Sequence, residues 1–145
     1  MKTNFKFDNS YTQLTSMMMS KVMPAKVKLP KLVLLNHNLA KQLGLDFSSL
    51  DEKQLAELFT GNTLPEGANP IAQAYAGHQF GHLAILGDGR AIVLGEHITP
   101  TNQRYDIQFK GSGRTPYSRG GDGKAALGPM LREYIISEAM YHLNI

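Results

Sequence analysis

Residues 105–110 alternate polar and apolar side chains, with Ile107 and Phe109 set against Gln108 and Lys110. This period of two predicts a strand with one covered face. Two short apolar runs precede it, residues 82–86 and 91–96, separated by Gly87-Asp88-Gly89-Arg90. Asp-Gly accepts positive φ at low steric cost, so the pattern predicts a hairpin between those runs. After residue 128 the period changes. Leu131, Ile135, Ile136, Ala139, Met140 and Leu143 project onto one arc of a helix over residues 130–143, with Glu133 at the edge of the arc and Gly128-Pro129 at its start. Earlier in the chain, residues 36–43 predict a short helix closed by Gly44. Ser49 or Asp51 is placed to cap a second helix running through Leu58, with Leu55 and Leu58 inward and Gly61-Asn62 as its stop. Residues up to Leu29 show no sustained period and read as an irregular extension that packs on something. The turn cluster at residues 65–70 divides the chain into an extension, 1–66, and a second region, 67–145.

Composition narrows the picture. With 145 residues and 42% hydrophobic content the chain can bury one core, as a single domain or part of one. It contains no cysteine, which excludes disulfides, thiolate metal sites and a cysteine nucleophile within these residues. The apolar runs 32–35 and 91–94 fall far short of the roughly 20 residues a membrane-spanning helix requires. The first residues lack the apolar core of a secretory signal, so a cytoplasmic location without membrane association is expected. Net charge is +3, too small an excess for a nucleic-acid surface. Between residues 101 and 124, however, five cations (Arg104, Lys110, Arg114, Arg119, Lys124) face two anions (Asp106, Asp122). A local anion site follows from that concentration.

The order of elements gives that site a chemistry. A glycine turn, a strand ending in lysine and a helix with a glutamate in its second turn form the layout of a protein-kinase amino-terminal lobe. Glycine lets backbone N–H groups approach phosphates, lysine adds a point charge, and glutamate fixes the lysine. Singly, each feature has a plainer explanation: Gly-Asp-Gly commonly makes only a turn, and Lys110 and Glu133 could be solvated surface groups. The tract from Lys110 to Lys124 sets glycines beside arginines, which suits phosphate contact and equally suits a flexible loop. It has neither the Gly-Lys-Ser/Thr of NTPase phosphate loops nor a dinucleotide fingerprint. His78 and His82 have a spacing that can hold zinc on a helix, but Gly77 and Gly81 disfavour a helix and no third ligand lies nearby. No metal is assigned to them.

Taken together, residues 69–82 (NPIAQAYAGHQFGH), 86–91 (LGDGRA), 106–123 (DIQFKGSGRTPYSRGGDG) and 131–134 (LREY) resemble the signature of the selenoprotein O family, nearly continuously from about Pro24 to Asn144. The resemblance implies an α+β, protein-kinase-like (pseudokinase) amino-terminal lobe, an antiparallel sheet plus the helix bearing Glu133, preceded by a mostly helical or irregular extension. It implies a protein adenylyltransferase that moves AMP from ATP onto serine, threonine or tyrosine hydroxyls of proteins, with Mg²⁺ or Mn²⁺. Carried over, Gly87, Gly89, Arg90, Lys110, Asp122 and Gly123 bind nucleotide, and Glu133 pairs with Lys110. The family continues beyond the position of Ile145 into a lobe with the general base and metal ligands. The chain is therefore expected to be an incomplete domain without a catalytic residue of its own, inactive alone, with the apolar face around Ile135, Ile136 and Leu143 partly bare. The alternatives are a noncatalytic nucleotide- or anion-binding module and a conventional phosphate-transferring kinase.

Overall fold

Strand β2 (Ile71–Gln79) is the spine of the computed structural model, which describes residues 3–79 and 81–145. The sheet is antiparallel throughout and its path runs β1 (Met19–Lys21), β2, β4 (Ala91–Ile98), β5 (Arg104–Lys110), with β3 (His82–Gly87) also paired to β2. The fold class is mixed α+β. β4 and β5 are in register from Ala91↔Lys110 to Ile98↔Arg104, interrupted by a bulge between Val93 and Gly95.

The hairpin expected between residues 82–86 and 91–96 does not form; the structure corrects it. β3 folds back on β2, from Gln79↔His82 to Ala74↔Gly87, and β4 then takes up the same strand at Ile71↔Val93. Between those pairs β2 advances three residues, from 74 to 71, while the opposing chain advances six, from 87 to 93. Asp88, Gly89 and Arg90 are thus the crest of a wide bulge in one interrupted strand. Adjacent residues of a strand aim their amides at opposite edges, so the bonds Asp88 N–H to Gln73 O and Ala74 N–H to Met18 O put β3 and β4 on one edge of β2 and β1 on the other.

A second correction concerns the irregular extension. Residues 19–21 are a sheet strand, in register with Ile71 to Gln73. Further upstream, Asp8 N–H donates to Glu96 O and Ile98 N–H to Lys6 O, laying the amino-terminal segment along β4. Buried His97 accepts Lys6 N–H on Nδ1, leaving Nε2–H to donate to Leu43 O at 2.8 Å. One imidazole thereby joins the terminal segment, the sheet and the helical region. Glu96, also buried, accepts from Ser10 Oγ, Tyr11 N–H and Arg104, which in turn pairs with Asp8 at 2.5 Å. Desolvation pushes the Glu96 carboxyl upward, but these donors outweigh it and hold its pKa below the ordinary value.

The two short helices form where their caps predict. α1 (His37–Gln42) starts at Asn36, whose side chain accepts from Leu39 N–H, and Gly44 follows its end with φ +74°. α2 (Glu52–Phe59) is capped by Asp51 rather than Ser49, in a capping box with Gln54, and Gly61 at φ +80° stops it. Leu55 and Leu58 are buried with Ala40 and Phe47 in a small helical core, while Ile71, Ala72, Ile92, Val93 and Leu94 are buried in the sheet.

α3 (Leu127–His142) begins three residues before the expected start and buries no side chain. Met130, Leu131, Tyr134 and Glu138 are its half-buried residues and share one side. Ile135, Ile136 and Leu143, at 62%, 60% and 66% exposure, look outward. Among the described residues no helix is long and apolar enough to cross a membrane.

Candidate functional site

The bulge between β3 and β4, the end of β5 and the glycine-rich tract enclose an open cavity of about 700 Å³. Gly87, Gly89, Arg90, Lys110, Asp122 and Gly123, the residues singled out from the sequence, all line it. Glu133 stands behind Lys110: Nζ lies 2.8 Å from Oε1 and 2.7 Å from Oε2. Both side chains are nearly half exposed, at 42% and 48%. An ion pair so wet contributes at most about 1 kcal/mol to stability. Its consequence is orientational, aiming one ammonium along a fixed direction.

Arg90, Lys110, Arg119 and Lys124 bring positive charge to the cavity wall, against Asp88 and Asp122. Both carboxylates are occupied by backbone. Asp88 Oδ2 accepts Gln73 N–H at 2.9 Å, and Asp122 Oδ1 accepts Lys124 N–H at 2.9 Å. Burial raises the Asp88 pKa, partly offset by the Gln73 bond. Arg114 is not at the wall; it donates to the carbonyls of Gly121 and Gly120 and holds the tract's own turn closed.

The tract is tied down rather than loose. A bridge between Ser112 and Lys124 closes its neck, with Gly113 N–H on Gly123 O. Thr115 Oγ1 donates to Asp88 O and Ser118 Oγ to Gly89 O, both at 2.5 Å, so two hydroxyls satisfy the carbonyls at the crest of the bulge. Tyr117 lies against Gly87 so closely that a Cβ there would overlap the ring, and its hydroxyl meets Ser20 Oγ at 2.9 Å. The sequence reading gave these glycines to phosphate approach. On their other side both glycines lie close to the chain's own tract, with Tyr117 O standing 3.0 Å from where a Cβ on Gly89 would be.

Thr115, Tyr117 and Ser118 were missed by sequence reasoning, because nothing in a Thr-Pro-Tyr-Ser run announces partners 27 and 29 residues away. Thr115 is 5% exposed, so Thr115→Val leaves Asp88 O without a donor in a closed site. A loss of about 1–2 kcal/mol is expected in urea unfolding; an unchanged midpoint would show that the hydroxyl does not fasten the bulge.

His78 and His82 sit on paired strands, not a helix. His78 is opposite Leu83 and Gln79 opposite His82, which turns the two imidazoles to opposite faces. Among the described residues no group of three or more metal-binding side chains is gathered.

Comparison with known proteins gives one consistent result. The family described as protein adenylyltransferase SelO matches residues 1–145. The protein nucleotidyltransferase YdiU of Anoxybacillus flavithermus is 63% identical over 145 residues, covering 100% of this chain and 30% of that protein. The YdiU proteins of Pelagibacter ubique and Geobacillus kaustophilus are 59% and 61% identical over the same 145 residues, with the same shares covered. The chain therefore spans about 30% of the length of these relatives.

Proposed function

The chain belongs to the SelO family of protein adenylyltransferases, and on that footing we propose that its cavity is the phosphate-binding part of an ATP site serving AMP transfer to protein hydroxyls. The observation that carries this reading is the convergence of Gly87, Gly89, Arg90, Lys110, Asp122 and Gly123 on one cationic cavity. On this reading residues 67–145 form a kinase-like amino-terminal lobe and residues 1–66 the extension braced against it.

In AMP transfer a serine, threonine or tyrosine hydroxyl attacks the α-phosphorus of ATP. The new O–P bond forms as the bond to the β-phosphate oxygen breaks, and pyrophosphate departs with the accumulating negative charge. Lys110, aimed by Glu133, and Arg90 are the cations suited to hold that charge. The hydroxyl proton needs a base, and neither Asp88 nor Asp122 is assigned the role, since each already accepts a backbone N–H. Mg²⁺ or Mn²⁺ would offset phosphate charge during such a transfer, but the described residues gather no ligand set for it. This chain's share is binding and orientation.

Calorimetric titration of the 145-residue chain with ATP, with and without Mg²⁺, tests the reading. Wild type is expected to bind, and Lys110→Ala to bind about tenfold more weakly, the loss of one charge-assisted contact, with little change in melting temperature. A folded wild type that ignores ATP would sink the proposal.

A further inference from the structure

α3 must be held where Glu133 reaches Lys110, yet it buries no residue. Polar side chains hold it instead. Besides the Lys110–Glu133 pair, Asn36 Nδ2 donates to Glu138 Oε1 at 2.8 Å and Gln42 Nε2 to Tyr141 Oη at 3.3 Å. Both bonds come from the ends of α1, across 102 and 99 residues of sequence. Glu138 is half-buried and lies on the inward side of α3 with Tyr134.

Asn36 is the better placed of the two. Its Oδ1 accepts Leu39 N–H at 2.9 Å as the cap of α1, so the amide cannot rotate without uncapping the helix, and Nδ2 is left aimed at Glu138. Glu133 and Glu138 are five residues apart, about 7.5 Å along the helix axis. Fixing both points sets the axial position of α3 and its rotation together. A weakly packed helix could otherwise slide or roll, carrying Glu133 away from the lysine. We propose that Asn36 is a positioning residue for the Lys110–Glu133 pair, its amide bracing α3 from the capped end of α1. The proposal rests on the reading of Lys110 as a phosphate-binding group for its effect on ATP, but not for its effect on the ion pair.

The test uses Asn36→Asp in the 145-residue chain. Aspartate caps a helix as well as asparagine does, but it sets a carboxylate against Glu138. Combining it with Glu138→Gln supplies a donor again and should restore the contact. Two readouts are taken: the rate at which an amine-directed acylating reagent modifies Lys110, followed by peptide mass spectrometry, and ATP affinity by calorimetry. Asn36→Asp is expected to raise Lys110 modification and weaken ATP binding, each about fivefold, with both returning toward wild type in the double variant. Unchanged Lys110 modification in Asn36→Asp, or an equal rise in single and double variants, would overturn the positioning role. Modification that changes and is rescued while ATP affinity stays constant would uphold it and count against the phosphate-binding reading of Lys110.

Discussion

Gly123→Ala is expected to lower unfolding free energy by roughly 3–5 kcal/mol, combining a left-handed backbone penalty with overpacking, and to abolish the cavity with it. Gly123 has φ +68°, and a Cβ there would lie on the Gly113 carbonyl and close to the Arg114 amide, both backbone. Nothing at that crossing is a side-chain end that could swing aside. The built-in control is Gly120→Ala, which shares a left-handed φ of +84° but has nothing within 4 Å, and should lose only about 1–2 kcal/mol. Urea unfolding of both variants gives the comparison. Equal losses would mean that the Gly113–Gly123 crossing does not constrain the tract.

The second large effect is expected at Glu96. Glu96→Ala removes the acceptor for Ser10 Oγ, Tyr11 N–H and one Arg104 nitrogen at a site 3% exposed. A loss of about 3 kcal/mol is expected, because the donors left behind are desolvated, and the amino-terminal segment should become open to proteolysis. The pH dependence has a definite sign. A carboxyl whose folded pKa is depressed stabilises the fold fully above its unfolded pKa, and that contribution disappears as pH falls through the folded value. Asp88 and Asp106 act in reverse: burial raises both, helped at Asp106 by the Glu96 charge, so their contribution is lost as pH rises. As pH falls below the ordinary carboxylate range, Glu96 becomes a source of acid destabilisation together with Asp46, whose carboxyl the Ser48 hydrogen bonds also hold low. Glu96→Gln should flatten the stability curve there; an unchanged slope between wild type and Glu96→Gln would remove Glu96 from the account.

What could be read from the sequence was what local chemistry decides. Gly44 and Gly61 mark helix ends through their own φ, and Asp51, one of the two caps the sequence offers, through its side chain. β5 shows itself by alternation over residues 105–110. β2 does not, because Ala72, Ala74, Ala76 and Gly77 carry almost no β preference and become a strand only through their pairing, Ala72 with β1 and the other three with β3. The same reason hid the bulge. Gly87-Asp88-Gly89 looks like a turn to a local rule, whereas its shape is set by Asp88 reaching Gln73, fifteen residues back. At the site, Lys110 and Glu133 could be named from the order of elements, but Thr115 and Ser118 could not, since their partners are backbone carbonyls. Glu138 turns inward for a like reason: its partner is Asn36, 102 residues earlier in the chain.

The bulge also decides how the rim of the cavity can move. A glycine loop at the tip of a free hairpin is a flap, able to swing about its two strands. Here the crest is spliced into a strand and pinned by Asp88 N–H on Gln73 O, Gln73 N–H on Asp88 Oδ2, and the hydroxyls of Thr115 and Ser118. Lifting it would break all four bonds at once, so this edge behaves as a stationary doorsill, and a guest has to fit itself to the threshold.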